Sequence, residues 1–135
     1  VRLMVSKLVK KQRKLLYNLP KHLKRKSLTA KLSDDLANQY GISRIRVRKG
    51  DTVKVMMGTN VGFEGKVNSV DLEGYVTIEG LTRKKTDGTP VFIKVSASKV
   101  LVTKLEMGDP IRRKSVEKKA EQRKLFMRKE GQSGS

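Results

Sequence analysis

Cationic residues crowd into the two ends of this chain, and that asymmetry confines independent folding to the middle. Residues 1–49 carry 15 Lys and Arg against 2 acids, residues 50–106 carry 8 against 7, and residues 107–135 carry 9 against 4. A stretch with a large charge of one sign repels itself as it compacts, whereas a nearly neutral stretch does not. The pattern predicts a basic N-terminal arm over 1–49, a folded centre over 50–106 and a basic C-terminal extension over 107–135.

The centre reads as strands. Thr52-Val53-Lys54-Val55-Met56 and Tyr75-Val76-Thr77-Ile78-Glu79 alternate apolar and polar residues with the period of a half-buried strand. Residues 65–70 alternate less regularly, while 90–95 and 100–102 are denser runs of β-branched residues. Turn signals at Met57-Gly58, Glu73-Gly74, Glu79-Gly80 and Asp87-Gly88 separate the runs, and the last predicts a hairpin. Five short strands at this spacing predict a mainly β fold, a small closed or partly open antiparallel barrel. A centre of about 60 residues buries only about 60% of its unfolded surface, so its stability is marginal by itself.

The arms read as basic coil with helices. Ser33 begins a short helix as its N-cap, Asp34 and Asp35 favour the positive end of the helix dipole, and Gly41 closes it. Asp109-Pro110 starts a second helix, predicted to run to about Lys129 and stop before Gly131. Its apolar residues Ile111, Val116, Ala120, Leu125, Phe126 and Met127 form a broken stripe that a partner surface would complete.

Several function classes drop out. The chain has no cysteine, which removes thiol nucleophiles, disulfides and thiolate metal sites together. His22 is the lone histidine, short of the ligands an ordinary zinc site needs. Asp71 and Glu73 read as turn residues, and no nucleophile–base pair is visible. No apolar run approaches the roughly 20 residues of a membrane span. Leu15-Leu16 is interrupted by Lys14 and Tyr17-Asn18 before a secretory signal could form. A soluble, cytoplasmic, non-catalytic protein is predicted, with no cofactor, metal or small-molecule substrate. At a net charge of +19, its partner is a polyanion.

The segment Lys49–Val67 carries glycines at 58, 62 and 65 between two strands. Glycines let a backbone approach a bulky partner closely, and loop amides can then donate to phosphate oxygens. A tight hairpin whose glycines serve geometry alone accounts for the same spacing. No Gly-Lys-Ser/Thr follows at Walker spacing.

These residues carry a resemblance. Gly50-Asp51-x-Val53-x-Val55-x-x-Gly58-x-x-x-Gly62-x-x-Gly65-x-Val67 resembles the KOW motif of ribosomal proteins and transcription elongation factors. With Lys11-Gln12-Arg13-Lys14, Tyr17-Asn18, Arg46-Val47-Arg48-Lys49-Gly50-Asp51 and residues 80–88, the chain over roughly 5–106 resembles one family. It is the family of large-subunit ribosomal proteins numbered twenty-four in bacteria and twenty-six in eukaryotes, in its archaeal and eukaryotic branch. The resemblance implies an SH3-like barrel, binding to the 5′ region of large-subunit rRNA, and an early role in subunit assembly. It also implies a place near the peptide tunnel exit, among neighbouring large-subunit ribosomal proteins.

The candidate RNA contacts form four groups. Lys10, Lys11, Arg13, Lys14, Lys24, Arg25 and Lys26 are the densest cations of the arm. Arg44, Arg46 and Arg48, followed by Lys49, alternate so that an extended segment aims the three guanidinium groups to one side. Met57, Gly58, Thr59, Asn60, Gly62 and Phe63 form the glycine loop, with Phe63 as a stacking candidate. Arg83, Lys84 and Lys85 flank the Asp87-Gly88 turn. Against the arm cations and against Arg83 to Lys85 stands the plainer reading of a solvated charged face. Two other functions compete: a transcription-elongation KOW module, for which residues 1–49 are too basic to be the preceding domain, and an architectural DNA-binding protein. A membrane-surface role is weaker, because the arms lack Trp and a clean amphipathic stripe.

Overall fold

A computed structural model describes residues 6–134. Its helices are α1 (Val9–Asn18), α2 (Lys21–Lys24), α3 (Asp34–Tyr40) and α4 (Pro110–Ser133). Its strands are β1 (Thr29–Leu32), β2 (Arg44–Arg46), β3 (Thr52–Val55), β4 (Glu64–Val70), β5 (Tyr75–Lys84), β6 (Pro90–Ser96) and β7 (Val100–Lys104). Short 3₁₀ turns lie at Arg25–Leu28 and Ala97–Lys99.

The five strands of the central pattern are present as β3 to β7, and they join β1 and β2 in one sheet of order β2-β1-β7-β3-β4-β5-β6. Two features correct the expectation of an antiparallel barrel. β1 runs parallel to β7, so the sheet is mixed. The order is also open, ending on β2 at one side and β6 at the other. The cause lies in the arm: β1 occupies the free side of β7, and β2 folds back onto β1 with Ala30 opposite Ile45.

β4 bends the sheet. Its first residues, Glu64 to Lys66, pair with β3, and Val67, Ser69 and Val70 pair with β5, with a register shift between Val67 and Ser69. Gly65 sits at this handover, where a Cβ would stand 2.7 Å from Ile78 Cγ2 and 3.0 Å from the Glu79 carbonyl. Only glycine lets the strands approach so closely.

The alternating valines do what their period predicts: Val53, Val55, Val67, Val76, Ile78, Val100 and Val102 are all buried. The same core takes in Leu28, Ala30, Leu32, Ile42, Ile45 and Val47. Apolar area supplied from before residue 50 therefore enlarges a core that residues 50–106 alone would leave small.

α3 ends as its sequence indicates, with Gly41 in the left-handed region at φ 70° and its amide donating to the Ala37 carbonyl. Ser33 holds the N-cap position but its side chain makes no capping bond. α4 begins at Asp109, whose carboxylate accepts from the Ile111 amide at 2.9 Å. The helix continues through Gly131 to Ser133 rather than stopping before Gly131. Of its expected stripe, Val116 is buried and Ala120 half-buried, while Ile111, Leu125, Phe126 and Met127 stay exposed.

Candidate nucleic-acid interface

α1 stands away from the core. None of its residues is buried, and Lys10, Lys11, Arg13 and Lys14 are all exposed. Around the helix these cations oppose an apolar side made by Leu8, Val9, Leu15, Leu16 and Leu19. Leu8, Val9 and Leu16 are each at least half exposed. The amphipathic stripe is thus cleaner than the sequence alone suggests.

Lys24 ends α2 half-buried, and Arg25 and Lys26 project from the 3₁₀ turn that follows. This turn rests on the β4–β5 connection. Ser27 approaches Gly74 so closely that a Cβ there would lie 2.9 Å from Ser27 Cβ and Oγ. His22 is exposed on α2.

Arg44, Arg46 and Arg48 are exposed while Ile45 and Val47 between them are buried. Strand alternation thus turns the three arginines outward, and β2 being an edge leaves their side of the sheet open. Lys49 is exposed beside them. Arg48 is already engaged, its Nη1 donating to Asp109 Oδ2 at 2.6 Å. That hydrogen bond, followed by the one from the Ile111 amide, holds the Asp109 carboxyl below its ordinary range. Two of the three arginines are left for a phosphate.

The glycine loop is only partly available. Met57, Gly58 and Thr59 are exposed and Asn60 is half-buried. Gly58 and Gly62 take positive φ, 99° and 88°, with open space where a Cβ would stand. The Gly62 amide, however, donates to the Val55 carbonyl at 2.9 Å inside the hairpin. Phe63 is half-buried against the core, its ring 3.3 Å from the Cβ position of both Gly65 and Gly80. It braces the loop against β5, which explains its aromatic character without a base to stack on.

Arg83, Lys84 and Lys85 lie exposed at the end of β5 and into its hairpin with β6. Asp87 Oδ1 fixes that turn by accepting from the Thr89 hydroxyl at 2.7 Å and its amide at 3.0 Å. Both bonds hold its carboxyl below the usual range. This cluster and the β2 arginines stand near opposite ends of the strand order, so the candidates are dispersed over the surface.

The most organised polar constellation is one that sequence reasoning missed. Arg112 donates from Nη1 to Asp51 Oδ1 and from Nη2 to Asp51 Oδ2, both at 2.7 Å. Its Nη1 also reaches the Glu106 carbonyl and its Nη2 the Arg46 carbonyl. Asp51 further accepts from the amides of Arg48 and Glu106. The pair locks α4 to the segment carrying the β2 arginines. A signal existed: Arg112, Val116 and Ala120 recur every four residues, which aligns Arg112 with the packing stripe.

No group of three or more His, Asp or Glu positioned for a metal occurs among the described residues. Among them, no helix is long and apolar enough to cross a membrane.

Residues 6–119 match the family of ribosomal proteins described as L26 in eukaryotes and as the L24 type in archaea. The chain is 57% identical over 127 residues to the large ribosomal subunit protein uL24 of Sulfolobus acidocaldarius, covering 93% of this chain and 95% of that protein. It is 61% identical over 116 residues to the protein of that name from Saccharolobus solfataricus, covering 85% and 98%. With that of Sulfurisphaera tokodaii the identity is 53% over 133 residues, covering 96% and 97%. The family match reaches beyond residue 106 into α4, further than the motifs alone suggested.

Proposed function

The chain belongs to the family of eukaryotic L26 and archaeal L24 ribosomal proteins, and from that premise we propose that it binds the 5′ region of large-subunit rRNA. It is a structural, non-catalytic protein of the cytoplasmic large ribosomal subunit. Its role there is to fold onto that RNA early in subunit assembly and to remain near the peptide tunnel exit beside neighbouring ribosomal proteins.

The observation that carries the RNA reading is α1, a helix with an exposed cationic side and no buried residue. A helix of 10 residues is marginal in water without tertiary support, so a polyanionic surface is what it is built to meet. Lys10, Lys11, Arg13 and Lys14 neutralise phosphates there, and Arg25 and Lys26 extend the track. Arg44, Arg46 and Lys49 supply a second contact beside the Asp51–Arg112 clamp. Exposed Met57, Gly58 and Thr59, and Arg83 to Lys85 across the sheet, supply two more. The arm and extension carry most of the charge, and residues 28–47 of the arm and Val116 of the extension join the core that holds both in register.

A partly open SH3-like arrangement of β3 to β7 accords with the chain path. After the 3₁₀ turn at Ala97–Lys99, β7 returns to pair with β3, and β4 serves both β3 and β5.

The test is binding of the full chain to a transcript of the 5′ region of large-subunit RNA across a salt series, beside a variant with Lys10, Lys11, Arg13 and Lys14 all changed to Gln. Each lost phosphate contact lowers the slope of log affinity against log salt by about 0.7–0.9, so the variant's slope falls by about 3. An unchanged slope would remove α1 from the interface.

A further inference from the structure

The packing stripe of α4 continues past the end of the core. Arg112, Val116 and Ala120 lie along one side of the helix, and Arg123 and Met127 follow on the same side. The first two are buried, and Ala120 Cβ is 3.6 Å from the Cβ position of Gly41 at the end of α3. Beyond that contact a groove of about 620 Å³ lies between the helices. Ala37, Asn38 and Gly41 form its α3 wall, and Arg123, Lys124, Met127 and Arg128 form its α4 wall.

Three of those side chains are cationic and none is acidic. Met127, an apolar side chain 56% exposed, lies between them across from Ala37. The groove therefore joins a cationic rim, an apolar floor and one side-chain amide. Its volume falls in the roughly 300–1,000 Å³ range of single small-molecule sites, and it is open to solvent, with room for one nucleotide.

We infer that this groove takes an unpaired nucleotide of RNA. The base lies on Met127 and Ala37, Asn38 meets its hydrogen-bonding edge, and Arg123, Lys124 and Arg128 meet the flanking phosphates. An acidic protein segment would satisfy the cations but leave the apolar floor without a flat partner. The inference rests on the RNA-binding reading above, but its α4 wall lies beyond residue 119, where the family match ends.

The test titrates the full chain with a single-stranded uridine hexamer and with inorganic polyphosphate of equal charge. Three variants are compared with the parent: Arg123→Gln with Arg128→Gln, Met127→Ala, and Lys118→Gln with Lys119→Gln as a charge-matched control outside the groove. The groove double variant should weaken hexamer binding roughly tenfold and the control no more than about threefold, although both lose two cations. Met127→Ala should weaken the hexamer about threefold and leave polyphosphate unchanged, because only a base uses the floor. Equal losses in the two double variants, or a hexamer indifferent to Met127→Ala, would overturn the inference. A hexamer indifferent to all three would do so too. Parent binding to the 5′ rRNA transcript separates the two readings: if it persists while the groove variants have no effect, only the groove inference fails.

Discussion

Arg112 and Asp51, 61 positions apart, meet as a two-pronged ion pair inside the protein, with side-chain exposures of 4% and 0%. Each carboxylate oxygen receives one guanidinium nitrogen and one backbone amide, from Glu106 and Arg48. A buried ion pair is stabilising chiefly in the sense that losing one partner strands the other. Its evident consequence here is positional: it fixes the start of α4 against the turn between β2 and β3.

Removing one partner should therefore cost far more than removing both. Asp51→Ala or Arg112→Met alone should lower unfolding stability by about 3–5 kcal/mol, and the double variant should recover much of that loss. Urea unfolding followed by circular dichroism measures it, and because the double variant loses less than either single one, the coupling energy from the double-mutant cycle should exceed about 3 kcal/mol. Strictly additive losses would mean that the two side chains act independently.

Two glycines should respond with opposite signs. Gly65→Ala forces a methyl against Ile78 and the Glu79 carbonyl, an overpacking that costs about 1–3 kcal/mol. Gly131→Ala meets nothing within 4 Å and lies within a helix, where it should add up to about 1 kcal/mol, less where the end frays. Thermal unfolding of the two variants checks both signs together.

Acid should loosen the start of α4. Arg48 and the Ile111 amide hold the folded Asp109 carboxyl below its ordinary value of 3.8. A carboxyl depressed on folding contributes stability that is complete above the unfolded value and is lost as pH falls through the folded one. Amide exchange at residues 111–115 should therefore accelerate as pH drops below 3.8, once corrected for intrinsic rates. In Asp109→Asn the acceleration should be absent.

α1 should exchange its amides quickly in the free chain, while Val53, Val67, Val76 and Val102 remain protected. RNA should slow exchange at Lys10 to Lys14. Strong protection there without RNA would show that the helix is self-sufficient.

Period and punctuation make the core legible. Val53 and Val55, or Val76 and Ile78, announce a buried side by alternation, and Gly41 and Asp109-Pro110 mark helix boundaries by capping chemistry. β1 is harder to read: Thr29-Ala30-Lys31-Leu32 is four residues long beside a charge run, and its place is set by the exposed side of β7 rather than by local preference. Arg112 is hidden for a similar reason. In Arg112-Arg113-Lys114 all three residues look like solvated charge, and only the four-residue spacing from Arg112 to Val116 and Ala120 hints that the first turns inward, where it meets Asp51. Phe63 looks available because it ends an exposed loop, yet Gly65 and Gly80 leave room for its ring against the sheet. Gly62 is similar, since its positive φ is foreseeable but the engagement of its amide by Val55 depends on the hairpin register.

The most direct measurement compares affinity for the transcript of the large-subunit rRNA 5′ region with affinity for a DNA duplex of matched charge, as salt is raised. The account predicts that both weaken but that preference for the RNA survives at high salt, because a folded RNA site is recognised beyond its phosphates. Equal affinities that collapse together would contradict it and would favour a charge-driven architectural DNA-binding protein.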